Sequence, residues 1–204
     1  RSAEGCYAPK IVGSYEQELH PHIEAAIARG YGHVVNIGMA EGYYATGMAL
    51  RLPDAIVDAF DLNEETHPVA RRLAAMNGVA DRVRIGGRFC GDDFSRYPAG
   101  DTLVICDIEG AEDELLDPQL YPALAGFDII VELHECPKPG LSDRMAARFA
   151  ATHNITRVPH GGREIPDIPI LQEFGHLDQL LTFWEWRSGP TPWAVMINST
   201  HHSK

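Results

Sequence analysis

The segment Val34-Val35-Asn36-Ile37-Gly38-Met39-Ala40-Glu41-Gly42 decides the fold of this chain. Its first part, rich in valine and isoleucine, predicts a buried strand, and the small residues at positions 38, 40 and 42 predict a tight turn into a helix. Small residues let a ligand approach the backbone, and a helix N-terminus presents free N–H groups to a carboxylate or phosphate. The segment therefore predicts a strand, a ligand-binding turn and a helix in succession.

Helical and strand-like segments alternate along the rest of the chain. Ser14 is predicted to begin the first helix, with Gln17 completing a capping box. Such alternation is typical of a doubly wound α/β protein. We therefore predict a Rossmann-like, mostly parallel sheet of seven strands with helices on both faces. The predicted strands are 33–37, 56–60, 82–85, 103–106, 129–133, 155–158 and 194–197.

The composition indicates one acidic globular domain spanning residues 1–204. Hydrophobic residues make up 45% of the chain, and 17 basic against 29 acidic side chains give a net charge of -12. This charge repels a nucleic-acid backbone or an anionic membrane, so neither is expected as a partner. No stretch approaches the ~20 apolar residues of a membrane span, and we predict no signal peptide. The cysteines form no CxxC pair, which predicts reduced thiols in a cytoplasmic protein.

The connection between the last two predicted strands is long for a compact domain. We predict that residues 160–192 form a cap, with a helix at 177–186. Phe183, Trp184 and Trp186 lie close together there and favour a core or an oligomer interface over a lid above an aromatic substrate. Self-association into a homo-oligomer is left open.

An acidic residue, Asp61, ends the second predicted strand. An acid at this point can accept both hydroxyls of a ribose, so the turn and Asp61 together favour a nucleoside ligand. The alternative is a tight turn beside an exposed aspartate. A dinucleotide site needs the pattern G-x-G-x-x-G, and Tyr43 occupies the third glycine position, which disfavours a nucleotide-dependent oxidoreductase.

Two motifs resemble those of class I S-adenosylmethionine-dependent methyltransferases. The turn is similar to their (D/E)-x-G-x-G-x-G loop, with Asn36 in place of the acid and Ala40 in place of the middle glycine. The run Asp107-Ile108-Glu109-Gly110-Ala111-Glu112 resembles the D-x-E-G-x-E signature of the FkbM-like branch, whose members mostly form O-methyl products. The resemblance covers about residues 10–135 and implies the methyltransferase fold.

The resemblance also implies which residues hold S-adenosylmethionine. The turn would hold the methionine end and Asp61 the ribose. The segment after the third strand would lie near the adenine, and Asp107 would border the transferable methyl group. The cofactor-binding residues implied in this way are Asn36, Gly38, Ala40, Glu41, Gly42, Asp61, Leu62, Arg88, Phe89 and Asp107, with Cys90 nearby.

Three ionisable side chains are predicted to meet where the fourth and fifth strands end. Asp107 ends the fourth strand, and Glu132 and His134 share a face at the end of the fifth. His134, with an ordinary pKa near ~6.5, suits proton removal from an acceptor hydroxyl, with Asp107 as the second catalytic residue. The three also form a donor set for Mg²⁺ or Mn²⁺, which would acidify a coordinated hydroxyl. The alternative is that His134 binds backbone and Glu132 pairs with an arginine.

The activity that the resemblance implies is methyl transfer from S-adenosylmethionine to a small-molecule hydroxyl, on a sugar, a natural product or another metabolite. The alternatives are N-methylation, because neutral amines need less help from a base, and a degenerate nucleoside-binding or scaffold module, suggested by Asn36 and Ala40. We also expect Gly38→Val to abolish cofactor binding with a modest loss of stability.

Overall fold

The computed structural model describes residues 7–161, 168–187 and 189–201, which form a sheet flanked by helices. The strands are β1 (His33–Ile37), β2 (Ile56–Phe60), β3 (Val83–Gly86), β4 (Thr102–Cys106), β5 (Asp128–Glu132), β6 (His153–Val158) and β7 (Trp193–Asn198). The helices are α1 (Tyr7–Val12), α2 (His20–Arg29), α3 (Tyr43–Arg51), α4 (His67–Met76), α5 (Glu112–Leu115), α6 (Leu141–Phe149), α7 (Pro169–Gln172) and α8 (His176–Thr182).

Seven strands lie in the order β3-β2-β1-β4-β5-β7-β6 within the described ranges. Strands β1 to β5 run parallel to one another, whereas β7 runs antiparallel to both β5 and β6. The order reverses between β1 and β4, and a doubly wound sheet leaves a crevice at such a switch point, outside the carboxyl ends of the strands. The predicted Rossmann-like, mostly parallel sheet is confirmed.

The core has two halves because successive strand residues point to opposite faces. Val34 and Leu103 belong to the hydrophobic cluster on one face, and Val35 and Val104 belong to the cluster on the other. All residues of β4 are buried, which is the pattern of a parallel strand covered by helices on both sides. Among the described residues, no helix combines the length and apolar character that crossing a membrane requires.

The predicted helix start at Ser14 is wrong. A short 3₁₀ turn, Gln17–Leu19, comes first, and α2 begins only at His20. Pro21 occupies the first turn of α2, where a missing N–H costs nothing, and a helix running through it from Ser14 would lose a hydrogen bond. Glu16 takes a left-handed conformation with φ 50°, which turns the chain before α2.

The predicted cap is only partly described, because residues 162–167 and 188 lie outside the described ranges. The described part contains two short helices, α7 and α8, between β6 and β7. The helix predicted at 177–186 is shorter than expected, since α8 ends at Thr182. Trp186 has φ 60°, a backbone conformation that no regular helix contains.

The turn after β1 packs backbone against backbone. Gly38 has φ +79°, and a Cβ added to it would lie 1.6 Å from the carbonyl oxygen of Asp107. The Gly38 N–H donates to the carbonyl of Phe60 at 2.8 Å, and the Asp107 N–H donates to the carbonyl of Ile37 at 2.9 Å. The glycine is therefore required by the close approach of two strand ends. The expectation that Gly38→Val loses little stability is corrected accordingly.

Gly38→Ala should lower the free energy of unfolding by roughly 3 kcal/mol or more, because it combines a backbone clash with a left-handed conformation. Gly47→Ala is the matched control, since Gly47 lies inside α3 and an added Cβ meets nothing within 4 Å. That change should stabilise the protein by about 0.5–1 kcal/mol. Urea denaturation measures both values, and equal effects at the two positions would contradict the close packing at Gly38.

Candidate functional site

A cavity of about 410 Å³ lies at the switch point of the sheet, outside the ends of β1, β2 and β4. Most of the predicted cofactor-binding residues line it: Gly38, Ala40, Asp61, Leu62, Arg88, Phe89 and Asp107. The opposite side is formed by the segment around α5, including Ile108, Glu109, Ala111, Glu114, Leu115 and Tyr121. The structure thus brings residues from the loops after four strands, β1, β2, β3 and β4, to one cavity.

Asp61 holds the glycine turn in place. One carboxylate oxygen, Oδ2, accepts the Ala40 N–H at 2.8 Å, and the other, Oδ1, accepts the Asn63 N–H at 2.8 Å. Ala40 has φ 46°, a left-handed conformation that costs energy for a residue with a Cβ. Each carboxylate oxygen retains a second lone pair for a ligand hydroxyl. Asp61 can therefore support the turn and accept a ribose hydroxyl at the same time.

One side of the cavity is apolar. The Leu62 side chain is 70% exposed although it is large and hydrophobic. Phe89 is half-buried and packs edge-on against Phe60, with ring centroids 5.0 Å apart. Exposed apolar surface beside polar groups is typical of a pocket for a flat heterocycle such as adenine.

Three of the predicted cofactor-binding residues, Asn36, Glu41 and Gly42, are not among those that line the cavity. Asn36 is 2% exposed within β1, and its Nδ2 lies 3.4 Å from the carbonyl oxygen of Ile105. Glu41 forms an ion pair with Lys10 of α1. Burial within β1 keeps the Asn36 side chain out of the cavity, and the ion pair with Lys10 does the same for Glu41.

Gly42 and Cys90 also serve local structure. Gly42 precedes α3 with φ +86°, and a Cβ there would lie 3.0 Å from the Cβ of Ala70 in α4. The Cys90 N–H donates to the Asp93 side chain at 2.9 Å and begins a 3₁₀ turn. Neither residue is among those that line the cavity.

His134 lies just after β5, and Glu112 orients its ring. Glu112 is fully buried, and the Nδ1–H of His134 donates to its Oε1 at 2.8 Å. Burial raises the pKa of Glu112, but the hydrogen bond and charge of His134, together with backbone hydrogen bonds such as that from the Gly110 N–H, outweigh it and hold that pKa below its ordinary value. Burial lowers the pKa of His134, but the hydrogen bond and charge of Glu112 raise it above 6.5 overall. Because Nδ1 is bonded to Glu112, Nε2 is the ring nitrogen that remains for a ligand.

The second ring nitrogen of His134, Nε2, faces a group of acidic side chains. Its Nε2 lies 3.7 Å from Oδ1 of Asp107, 3.7 Å from Oε2 of Glu132 and 3.3 Å from Oε2 of Glu109. Burial and the charge of Glu132 raise the pKa of Asp107 well above its ordinary value. Asp107 also lines the cavity, so the imidazole adjoins the place where a bound ligand would sit.

The sequence left open that His134 binds backbone and that Glu132 pairs with an arginine. The structure shows only the second of these contacts. Its carboxylate pairs with Arg187, whereas His134 bonds to the Glu112 side chain instead of to backbone. Among the described residues, the candidate metal-binding group whose donor atoms lie within 4.8 Å of one another consists of Asp107, Glu112 and His134, with Glu112 in the place expected for Glu132.

The residues present fit a divalent ion. Oε2 of Glu112 and Oδ1 of Asp107 are buried and have no hydrogen-bond partner within the described part of the chain. Two carboxylates and an imidazole suit Mn²⁺ better than Mg²⁺, which prefers oxygen ligands. When bound, such an ion would lower the pKa of a coordinated hydroxyl.

Arg187 is, with Glu112, a residue of the candidate site that sequence reasoning missed. Its Nη2 lies 3.1 Å from Oε1 of Glu16, and its Nε lies 3.1 Å from Oε2 of Glu185, in addition to its pair with Glu132. Glu16 is 1% exposed, and burial together with Glu132 raises its pKa to about 7. No sequence pattern marks Arg187, because its partners are far apart along the chain.

No family model matches the chain. Over 51 residues it is 41% identical to the release factor glutamine methyltransferase of Chlorobaculum tepidum. That match covers 25% of this chain and spans only 17% of the other protein's length. It shows a local likeness to a methyltransferase.

Solved structures show which fold the chain has. It is similar to the O-methyltransferase of Bacillus cereus in complex with S-adenosylhomocysteine, with a TM-score of 0.59, 12% identity and coverage of 90% and 80% of the two chains. It is also similar to the O-methyltransferase TomG of Streptomyces achromogenes, in complex with S-adenosylmethionine, with a TM-score of 0.56, 16% identity and coverage of 89% and 79%. The chain has the class I methyltransferase fold.

Glu112→Gln should lower the pKa of His134, because burial would then act without the opposing carboxylate. NMR titration of the imidazole in the presence of a chelator measures this change. Glu114→Gln is the control, since Glu114 is an exposed residue of α5 that binds Lys138. Equal shifts in both variants would contradict a specific pairing of Glu112 with His134.

The same pair should make stability depend on pH. Because folding raises the pKa of His134, this residue adds to the free energy of unfolding below pH 6.5. The contribution is lost as the pH rises through the pKa of His134 in the folded protein. Because folding lowers the pKa of Glu112, this residue adds to the free energy of unfolding above pH 4.5. That contribution is lost as the pH falls through the pKa of Glu112 in the folded protein. Glu112→Gln should lower the free energy of unfolding by about 1–3 kcal/mol. This loss should be largest between the two limits, pH 4.5 and pH 6.5.

Proposed function

We propose that this protein transfers a methyl group from S-adenosylmethionine to the hydroxyl of a small molecule. The observation that carries the proposal is a single cavity that joins the glycine turn and Asp61 to Asp107, whose carboxylate lies 3.7 Å from Nε2 of His134. A donor site and a proton acceptor are thus adjacent at the switch point of the sheet.

The cavity residues fit the donor. Asp61 would accept the ribose hydroxyls, and Leu62 and Phe89 would contact the adenine. The carboxylates of Asp107 and Glu109 line the same cavity and would attract the positively charged sulfonium. S-adenosylmethionine, when bound, supplies the methyl group, and the protein's part is to hold donor and acceptor in line.

His134 would act as the general base. Its Nε2 would take the proton of the acceptor hydroxyl as the oxygen attacks, and Glu112 would stabilise the imidazolium through Nδ1–H. Asp107 would lie beside the transferred methyl group. This arrangement uses the first and last acids of the D-x-E-G-x-E run, which supports placing the chain in the FkbM-like branch.

The acids around Nε2 favour oxygen over nitrogen as the acceptor atom. Glu109, Glu132 and Asp107 would stabilise the protonated form of an amine, and an ammonium group has no lone pair with which to attack. A hydroxyl remains neutral in the same surroundings and needs the base that His134 provides. O-methylation is therefore preferred to N-methylation.

The proposed enzyme would act in a reducing compartment, on a small molecule and as a single domain. Cys90, Cys106 and Cys136 are free thiols, which supports a reducing compartment such as the cytoplasm. The net charge of -12 favours a small-molecule acceptor over a nucleic acid. Residues 1–204 would act as one domain, with the cap at 160–192 beside the site.

Calorimetry should show binding of S-adenosylmethionine and S-adenosylhomocysteine but not of NAD. Asp61→Ala should weaken S-adenosylhomocysteine by ~1.5–3 kcal/mol, because it removes charge-assisted hydrogen bonds to the ribose. Asp54→Ala is the control, since Asp54 is exposed just before β2, at its opposite end. Unchanged affinity in a folded Asp61→Ala protein would exclude the ribose assignment.

His134→Ala should lower kcat by roughly 10²–10⁴-fold in an assay of S-adenosylhomocysteine release. The exposed His176 gives the control variant His176→Ala, which should retain activity. We expect a chelator to leave the wild-type rate unchanged, as a free base requires. Loss of activity with chelator and recovery with Mn²⁺ would instead show that Asp107, Glu112 and His134 hold an ion.

A further inference from the structure

A second cavity, of about 900 Å³, lies between the cap and the sheet. Its size is within the range of small-molecule pockets, about 300–1,000 Å³. The residues that form its apolar surface come from α8, the segment after it and the sheet end: Leu180, Leu181, Phe183, Trp184, Pro159 and Pro192.

This cavity opens at the same edge of the sheet as the first. Pro192 directly precedes β7, and its carbonyl accepts the N–H of Leu133 at 2.8 Å. Leu133 stands between Glu132 and His134 in the sequence. Arg187 lines the cavity and pairs with Glu132, whose other oxygen lies 3.7 Å from Nε2 of His134. The Arg187–Glu132 ion pair therefore connects this cavity to the proposed base.

The polar groups that line this cavity are already paired inside the protein. His160 Nδ1 lies 2.9 Å from Glu18 Oε1. Arg187 donates to the Thr191 hydroxyl and to Glu185. These groups have their hydrogen-bonding capacity largely committed, so a sugar, which presents many hydroxyls, would find few partners here.

The apolar groups, in contrast, remain uncovered. Leu180 is 51% exposed, Leu181 49% and Trp184 54%. A ligand that removes this surface from water gains free energy in proportion to the area covered. The Trp184 indole, which packs against Trp186 with ring centroids 5.7 Å apart, offers a face on which a flat ring can stack.

We propose that the cavity beneath the cap is the acceptor site and that it takes a planar, apolar aromatic alcohol. This inference rests on the proposed function and names its substrate class. The ring would lie against Trp184 and Leu181, and the hydroxyl would point toward His134.

The test uses 2-naphthol as the probe, titrated calorimetrically into the full chain with and without saturating S-adenosylhomocysteine. We expect 2-naphthol to bind in both conditions, and methyl β-D-glucopyranoside to bind in neither. Leu181→Ala and Trp184→Ala should each weaken 2-naphthol by about 10-fold or more. Leu177→Ala is the matched control, because Leu177 is an exposed leucine of the same helix, is not among the cavity residues, and should leave the affinity unchanged.

Three results would overturn the inference: no binding of 2-naphthol, competition between 2-naphthol and S-adenosylhomocysteine, or equal effects of Leu177→Ala and Leu181→Ala. Failure of the proposed function gives a different result, in which S-adenosylhomocysteine itself does not bind. In that case 2-naphthol binding that depends on Leu181 would establish an apolar ligand site but refute its role as acceptor site. Leu181→Ala should leave S-adenosylhomocysteine affinity unchanged, which separates the two cavities.

Discussion

The contact between the backbone of Gly38 and the carbonyl of Asp107 is the constraint on which the site depends. It brings the turn after β1 against the end of β4, with room for no side chain between them. Asp61 then ties the same turn to the end of β2 through the Ala40 N–H. Three parallel strand ends are thus held at fixed distances before any ligand arrives, so the cavity at the switch point is preformed. A preformed site spends less binding energy on ordering the protein.

Charge is the second constraint. Asp107, Glu112, Glu132 and Glu16 are gathered around one imidazole and one guanidinium, and burial makes every unpaired negative charge expensive. The structure avoids buried, unpaired negative charge in two ways. His134 holds Glu112 in the ionised form, whereas burial and the charge of Glu132 raise the pKa of Asp107. Neighbouring carboxylates thereby acquire different protonation behaviour, which is typical of sites that move protons.

The sequence predicted the sheet well because its signals are local. Runs of valine and isoleucine mark β1, β4 and β5, and the small residues after β1 mark the turn. It failed at Ser14, where a capping pattern was outweighed by Pro21 a few residues later. For the site, strand-end positions predicted that Asp61, Asp107 and His134 lie at one crevice; Asp61 and Asp107 line the cavity, and His134 lies 3.7 Å from Asp107. They did not identify Glu112 as the hydrogen-bond partner of His134 or Arg187 as the partner of Glu132, because both contacts join residues that are far apart in the sequence.

Arg187 explains why the cap and the reaction centre form one unit. It joins acids from three regions, Glu16 before α2, Glu132 at the end of β5 and Glu185 in the cap. Burial lowers the pKa of Arg187, but Glu132 and Glu16 outweigh this and raise it above its ordinary value, so the charge stays. If the cap moved away, the guanidinium would leave with it, and Glu16 and Glu132 would face each other without a cation. Glu16 and Glu132 therefore hold the cap in place through Arg187, and the charge of Arg187 in turn lowers the pKa of Glu16.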